Sequence, residues 1–140
     1  MMKTFYCLAV VCLTMLTSHT FAAKPAYAQD GCARMVFTTT NHNFGNVPRK
    51  GGDIEAEFEF VNDGEHPLVV TSVTTSCSCI KAYYSKRPVE AGGHGVIRLV
   101  YEPHKMEEGA FYKAVEVHSN SAGGVRILTV QGNSINVRKL

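Results

Sequence analysis

Cys77-Ser78-Cys79 is the constellation in this chain with the greatest chemical potential. In extended backbone, side chains two residues apart point to one face with Cα atoms about 6–7 Å apart, and a turn brings the sulfurs closer. Two thiolates at that spacing suit a soft cation such as Cu(I), or Zn(II) if two further ligands arrive, with Cys32, a His or a Met completing the shell. The pair can instead exchange between thiol and disulfide, and a disulfide closed over so short a loop is constrained and more readily reduced. An architectural role also stands open, with the cysteines packed as small apolar side chains or bridged to Cys32 so as to pin the N-terminal segment.

Other residues offer less. His42, His66, His94, His104 and His118 follow no metal-binding spacing and are expected at the solvated surface. The chain has no G-x-S-x-G elbow and no P-loop. Gly92-Gly93-His94-Gly95 precedes a strand pattern, so it cannot present a helix N-terminus to a phosphate. Glu107-Glu108 sit in a polar loop without a matching acid/base partner. No catalytic residue is assigned, and enzymatic activity is not expected. Tyr83-Tyr84 and Tyr112 are candidates for contact with a partner or a glycan, or for packing between strands.

The elements that position these residues read as strands. Ile54, Ala56, Phe58 and Phe60 alternate with Glu55, Glu57 and Glu59, which predicts one face on a core and the other in water. Asn62-Asp63-Gly64-Glu65 is a tight-turn sequence leading into the Val- and Thr-rich Pro67–Thr75 stretch, so these two strands are expected to form a hairpin. Arg34–Thr40, Cys79–Tyr84, Val96–Tyr101, a segment around Phe111–Val117, and Val125–Asn136 are further strand candidates. Asn41–Gly45 and Pro48–Gly52 are expected as turns, and Gly132 as a bulge or bend. Short strands at roughly 8–12-residue spacing predict an all-β, Ig-like antiparallel sandwich of about seven to eight strands. The chain has no Trp, and Cys77 and Cys79 are too close to bridge facing sheets, so aliphatic and Phe/Tyr packing must hold the core.

Residues 1–28 carry the pattern of a secretory signal peptide: Lys3, an apolar run from Phe5 to Leu16, and Ala26-Tyr27-Ala28 as a cleavage site, with Ala22 an earlier alternative. The apolar run is short of the roughly 18–20 residues of a spanning helix, so no transmembrane segment is expected after cleavage. A leader over 29–36 and a sandwich domain over 37–140 would follow. Of the 140 residues, 112 would remain, and the loss of Lys3 and Lys24 leaves twelve basic against twelve acidic residues. A neutral chain without a basic cluster argues against nucleic acid or an anionic membrane as the main partner. A fold that offers strand edges and loops, with no catalytic constellation, makes a protein or cell-envelope component the expected partner. The mature chain keeps Cys32, Cys77 and Cys79. Gln29-Asp30-Gly31 before Cys32 lacks the aliphatic residue of a lipobox, which favours a soluble exported protein, periplasmic or extracellular, over a lipoprotein.

Several stretches in order, Asn43-Phe44-Gly45-Asn46-Val47, Phe58-Glu59-Phe60-Val61-Asn62-Asp63-Gly64, Pro67-Leu68-Val69-Val70 and Thr75-Ser76-Cys77-Ser78-Cys79, carry a family likeness. So do Pro88-Val89-Glu90-Ala91-Gly92, Val117-His118-Ser119-Asn120 and Leu128-Thr129-Val130-Gln131-Gly132. Over residues 37–132 the chain resembles the bacterial Ig-like family catalogued as domain of unknown function 1573, common in exported proteins of Bacteroidetes. That family is similar to cilium- and centrosome-associated Ig-like domains and to the sperm-protein-like fold, so the resemblance implies an exported binding module. The family usually has Gly between its two cysteines, where this chain has Ser78; a glycine there serves a backbone with positive φ. A fold alone assigns no chemistry. The expectation is therefore an interaction module, with a periplasmic Cu(I), Zn or thiol-handling protein built on Cys77 and Cys79 as the alternative.

Overall fold

The computed structural model describes residues 32–137, so the expected signal segment 1–28 lies outside the described residues. Two four-stranded sheets pack face to face. The first has the order β1 (Met35–Phe37), β3 (Ile54–Asn62), β6 (His94–Tyr101), β5 (Ile80–Tyr84). The second has the order β2 (Asn41–Pro48), β8 (Arg126–Ile135), β7 (Gly109–Ser119), β4 (Val70–Thr75). The β3 alternation does what its pattern predicts: Ala56, Phe58 and Phe60 are buried, whereas Glu55, Glu57 and Glu59 are exposed. Ile97, Leu99 and Tyr101 of β6 and Val115, Val117, Leu128 and Val130 of β7 and β8 complete the two inner faces.

Three expectations are corrected. Asn41–Pro48 is a strand rather than a turn, and it pairs in parallel with β8, so the sandwich is not wholly antiparallel. Its asparagines are poor strand formers, but Val47 is buried and Phe44 packs against the core, and these anchor an edge strand. β3 and β4 do not form a hairpin: β3 pairs with β1 and β6, while β4 pairs with β7 in the other sheet. The domain also begins before residue 37, since Ala33 and Met35 are 3% and 1% exposed and β1 is hydrogen-bonded to β3.

The crossing between sheets after β3 is fixed by the fully buried Asn62. Its Nδ2 donates to the carbonyls of His66 (2.7 Å) and Val89 (2.9 Å). Its Oδ1 accepts from the backbone N–H of Arg34 (3.1 Å) and Gly64 (3.0 Å). A buried amide is stable only with its donors and acceptors matched, and here they join three stretches of backbone, at Arg34, at Gly64–His66 and at Val89. The chain therefore leaves β3 into a clamp instead of folding back on it.

With no Trp in the sequence, Tyr101 is the largest fully buried side chain among the described residues. It stacks on Phe111 with ring centroids 4.3 Å apart and lies 6.1 Å from Phe44, so rings from both sheets form one column. Its hydroxyl reaches the buried Ser134 Oγ at 3.2 Å, which satisfies the polar tip of an otherwise apolar ring.

Candidate functional site

Cys77 and Cys79 lie on the connection that carries the chain from β4 in one sheet to β5 in the other. Cys77 N–H donates to Thr75 Oγ1 (3.2 Å) and Ile80 N–H donates back to the Cys77 carbonyl (3.2 Å), which closes a tight turn. The Cys79 carbonyl accepts from Glu102 N–H at 2.8 Å, so the turn is tied to the end of β6. Within this frame the two cysteines form a disulfide, with Cα atoms 5.1 Å apart. Cys79 is fully buried; Cys77 is half-buried. Ser78 fits without strain, because among the described residues no non-glycine residue has a positive φ.

A neighbour that sequence spacing does not indicate completes the corner. Met106 follows a one-turn 3-10 helix at Pro103–Lys105, and its Sδ lies 3.8 Å from Cys77 Sγ. Beside it, the Glu102 carboxylate is held by Lys105 Nζ at 2.6 Å and Lys81 Nζ at 2.9 Å. Hydrogen bonds from Lys105 and then Lys81 lower the Glu102 pKa from 4.5 to about 2, against the opposing effect of burial. The hydrogen bond to Glu102 in turn raises the Lys81 pKa. Lys105 Nζ also reaches the Ser78 carbonyl at 3.3 Å, which puts an ammonium on the turn itself.

Cys32 has no part in this corner. Its carbonyl accepts from Glu65 N–H beyond the far end of β3, whereas Cys79 adjoins Ile80, which shares its partner Tyr101 with Ile54 at the near end. Nine residues of strand hold the two places about 26 Å apart. A bridge from Cys32 to Cys77 or Cys79, or a shared metal shell, is therefore ruled out by the fold. Among the described residues no three His, Cys, Asp or Glu side chains gather as a metal site. In the disulfide form the two cysteines offer no thiolate, so metal binding by Cys77 and Cys79 requires the reduced chain.

A second feature lies in the second sheet, where β2 meets β8. The pairing of β2 with β8 slips between Asn43 and Asn46, where Gly45 takes a φ of 67° and Asn43 Oδ1 accepts from Gly45 N–H at 2.8 Å. Gly132 sits opposite. A Cβ there would lie 2.8 Å from the Phe111 ring and 2.9 Å from the Gly45 carbonyl oxygen, so glycine serves close approach here rather than a bulge in β8. The result is a shallow hollow of about 500 Å³ lined by Asn43, Asn46, Phe111, Tyr112, Gln131 and Asn133 around the two glycines. No charged side chain lines it. Tyr112, paired with Gln131 across the strands, is 63% exposed. Of the other tyrosines singled out, Tyr83 lies under the Arg98 guanidinium at 5.2 Å.

Residues 35–134 match the family described as protein of unknown function (DUF1573). No curated protein matches the chain. A protein of unknown function from Porphyromonas gingivalis W83 aligns with a TM-score of 0.67 at 22% identity, over 79% of this chain and 51% of that one. This chain thus spans about half the length of that relative. The PapD-like domain 7 of human CEP192 aligns with a TM-score of 0.61 at 11% identity, covering 76% and 89% of the two chains. The secreted serine protease VesC from Vibrio cholerae aligns at 0.56 and 12% identity, with 76% of this chain on 24% of that one. At these identities the likeness is one of fold.

Proposed function

The chain belongs to the family described as protein of unknown function (DUF1573), and on that footing we propose that it is an exported, non-enzymatic binding module for a neutral glycan of the cell envelope. The observation that carries this reading is the uncharged hollow across β2, β8 and β7. Asn and Gln side chains each supply a carbonyl acceptor and an amide donor, the pair that matches a sugar hydroxyl, which is itself both donor and acceptor. Tyr112 supplies an exposed ring for the apolar face of a pyranose. A charged ligand would need a countercharge that the lining lacks. The signal-like pattern of residues 1–28 supports export.

The test is affinity electrophoresis of the protein, produced from the full sequence in an exporting bacterial host, through gels containing a panel of neutral polysaccharides. Retardation by at least one polysaccharide, lost in Tyr112→Ala and weakened in Gln131→Ala, is the expected result. Retardation by none of the panel, or retardation untouched by Tyr112→Ala, overturns the reading. Mass spectrometry of the periplasmic fraction tests export separately: an intact N-terminus refutes removal of the signal.

A further inference from the structure

The corner formed by Cys77, Cys79 and Met106 holds three sulfur atoms on a pinned scaffold. Met106 is held in place: its N–H donates to the Pro103 carbonyl at 3.1 Å, and its side chain packs against the core. The Glu102 carboxylate, whose residue N–H binds the Cys79 carbonyl, is occupied by Lys81 and Lys105 at 2.9 and 2.6 Å. The three sulfurs are a donor set that selects a soft ion.

We propose that reduction of the Cys77–Cys79 disulfide opens a Cu(I) site formed by the two thiolates and the Met106 thioether. The reductant is a dithiol: its two S–H bonds become one S–S bond, and its two electrons and two protons convert the Cys77–Cys79 bridge into two thiols. Cu(I) then displaces both thiol protons to solvent without further change of oxidation state. Two sulfurs each about 2.3 Å from a d¹⁰ ion lie about 3.8–4.0 Å apart at tetrahedral to trigonal angles. Cys77 Sγ and Met106 Sδ already stand 3.8 Å apart, and scission of the bridge frees the Cys79 sulfur to withdraw to a similar distance. Two thiolates around a single positive ion leave one net negative charge, and the Lys105 ammonium on the Ser78 carbonyl is placed to offset it. Zn(II) ordinarily demands a fourth ligand, which this corner lacks.

The experiment uses the full chain, reduced with dithiothreitol and freed of it under anaerobic conditions, then titrated with Cu(I) in competition with bicinchoninate. One Cu(I) per reduced chain and none per oxidised chain is expected. Met106→Leu, which conserves side-chain volume, should weaken Cu(I) at least tenfold and lower the sulfur count around copper from three to two by X-ray absorption. Cys77→Ala, at the half-buried position, should abolish binding with the far-UV circular dichroism unchanged. Failure of the reduced chain to take Cu(I) from the chelator, equal binding by the oxidised chain, or a Met106→Leu variant that matches wild type overturns the proposal. None of these variants touches the hollow, so the glycan reading stands or falls separately.

Discussion

Tyr101 of β6 and Phe111 of β7 lie ring on ring at 4.3 Å with planes 18° apart, and because they belong to different sheets, their contact ties the two sheets together. In Tyr101→Phe the stack survives but the Ser134 hydroxyl loses its 3.2 Å partner in a buried place. A loss of about 1–2 kcal/mol is expected from urea denaturation with an unchanged slope. Tyr101→Ala should cost about 3–5 kcal/mol, since it also leaves a cavity.

Asn62 predicts a larger effect than its size implies. Asn62→Ala removes the partner of the His66 carbonyl and of the Arg34 and Gly64 N–H groups, while the Val89 carbonyl keeps the Leu68 N–H. Water can reach some of these groups, so about 3 kcal/mol is expected, and not the sum of three full penalties. Amide hydrogen exchange should accelerate first at Arg34 and Gly64, whose N–H groups bond to Oδ1. Unchanged protection there would contradict the clamp.

Glu102 sets an acid dependence. Its carboxyl titrates at about 2 in the folded chain against an ordinary 4.5, so its stabilising contribution is complete above about pH 4.5 and disappears as the pH falls toward 2. The same contact raises the Lys81 pKa, so at the alkaline end the pair is lost as the pH rises above 10.5 through the raised value. Urea midpoints for Glu102→Gln should lie below wild type at pH 7 and converge with it toward pH 2. Parallel curves across that range would show that the ion pairs do not stabilise the fold.

Gly132 joins stability to the hollow. The added methyl of Gly132→Ala would meet the Phe111 ring at 2.8 Å and the Gly45 carbonyl at 2.9 Å, and the latter is backbone. A cost of about 1–3 kcal/mol is expected, together with loss of polysaccharide retardation. Thermal denaturation and affinity electrophoresis on the same preparation read the two effects.

The Cys77–Cys79 bridge encloses only three residues, and loop-closure entropy for so small a ring is about 1.6 kcal/mol. Reduction should therefore lower stability modestly and leave the sandwich folded. Calorimetry with and without dithiothreitol checks this; unfolding on reduction at 25 °C would mean that the turn holds far more of the fold than its ring size implies.

The β3 alternation made one strand and its facing legible from residue types alone, because burial on one side and water on the other impose a period of two. β2 was not legible: its asparagines and Gly45 follow turn chemistry, and what holds it extended is the packing of Phe44 and Val47 and a parallel partner far along the chain. The absent hairpin has the same kind of cause. Asn62-Asp63-Gly64 is locally a turn, but what the turn joins is decided by carbonyls and N–H groups at Arg34, His66 and Val89. Cys77 and Cys79 were legible as a pair through their spacing. Met106 was not, being brought to them from the connection after β6, 29 residues on from Cys77, and the hollow depends on a register slip that no local pattern encodes.

The parallel pairing of β2 with β8 also bears on when the fold can form. β8 lies at the centre of its sheet, between β2 and β7, yet follows both in the chain. While the chain is being made from its N-terminus, β2 has no strand to join until the residues around Thr129–Ile135 have emerged. Of the second sheet, β4 and β7 can pair with each other first, while β2 waits for β8. That sheet is therefore completed from its interior, by a strand that joins β2 and β7 in one step.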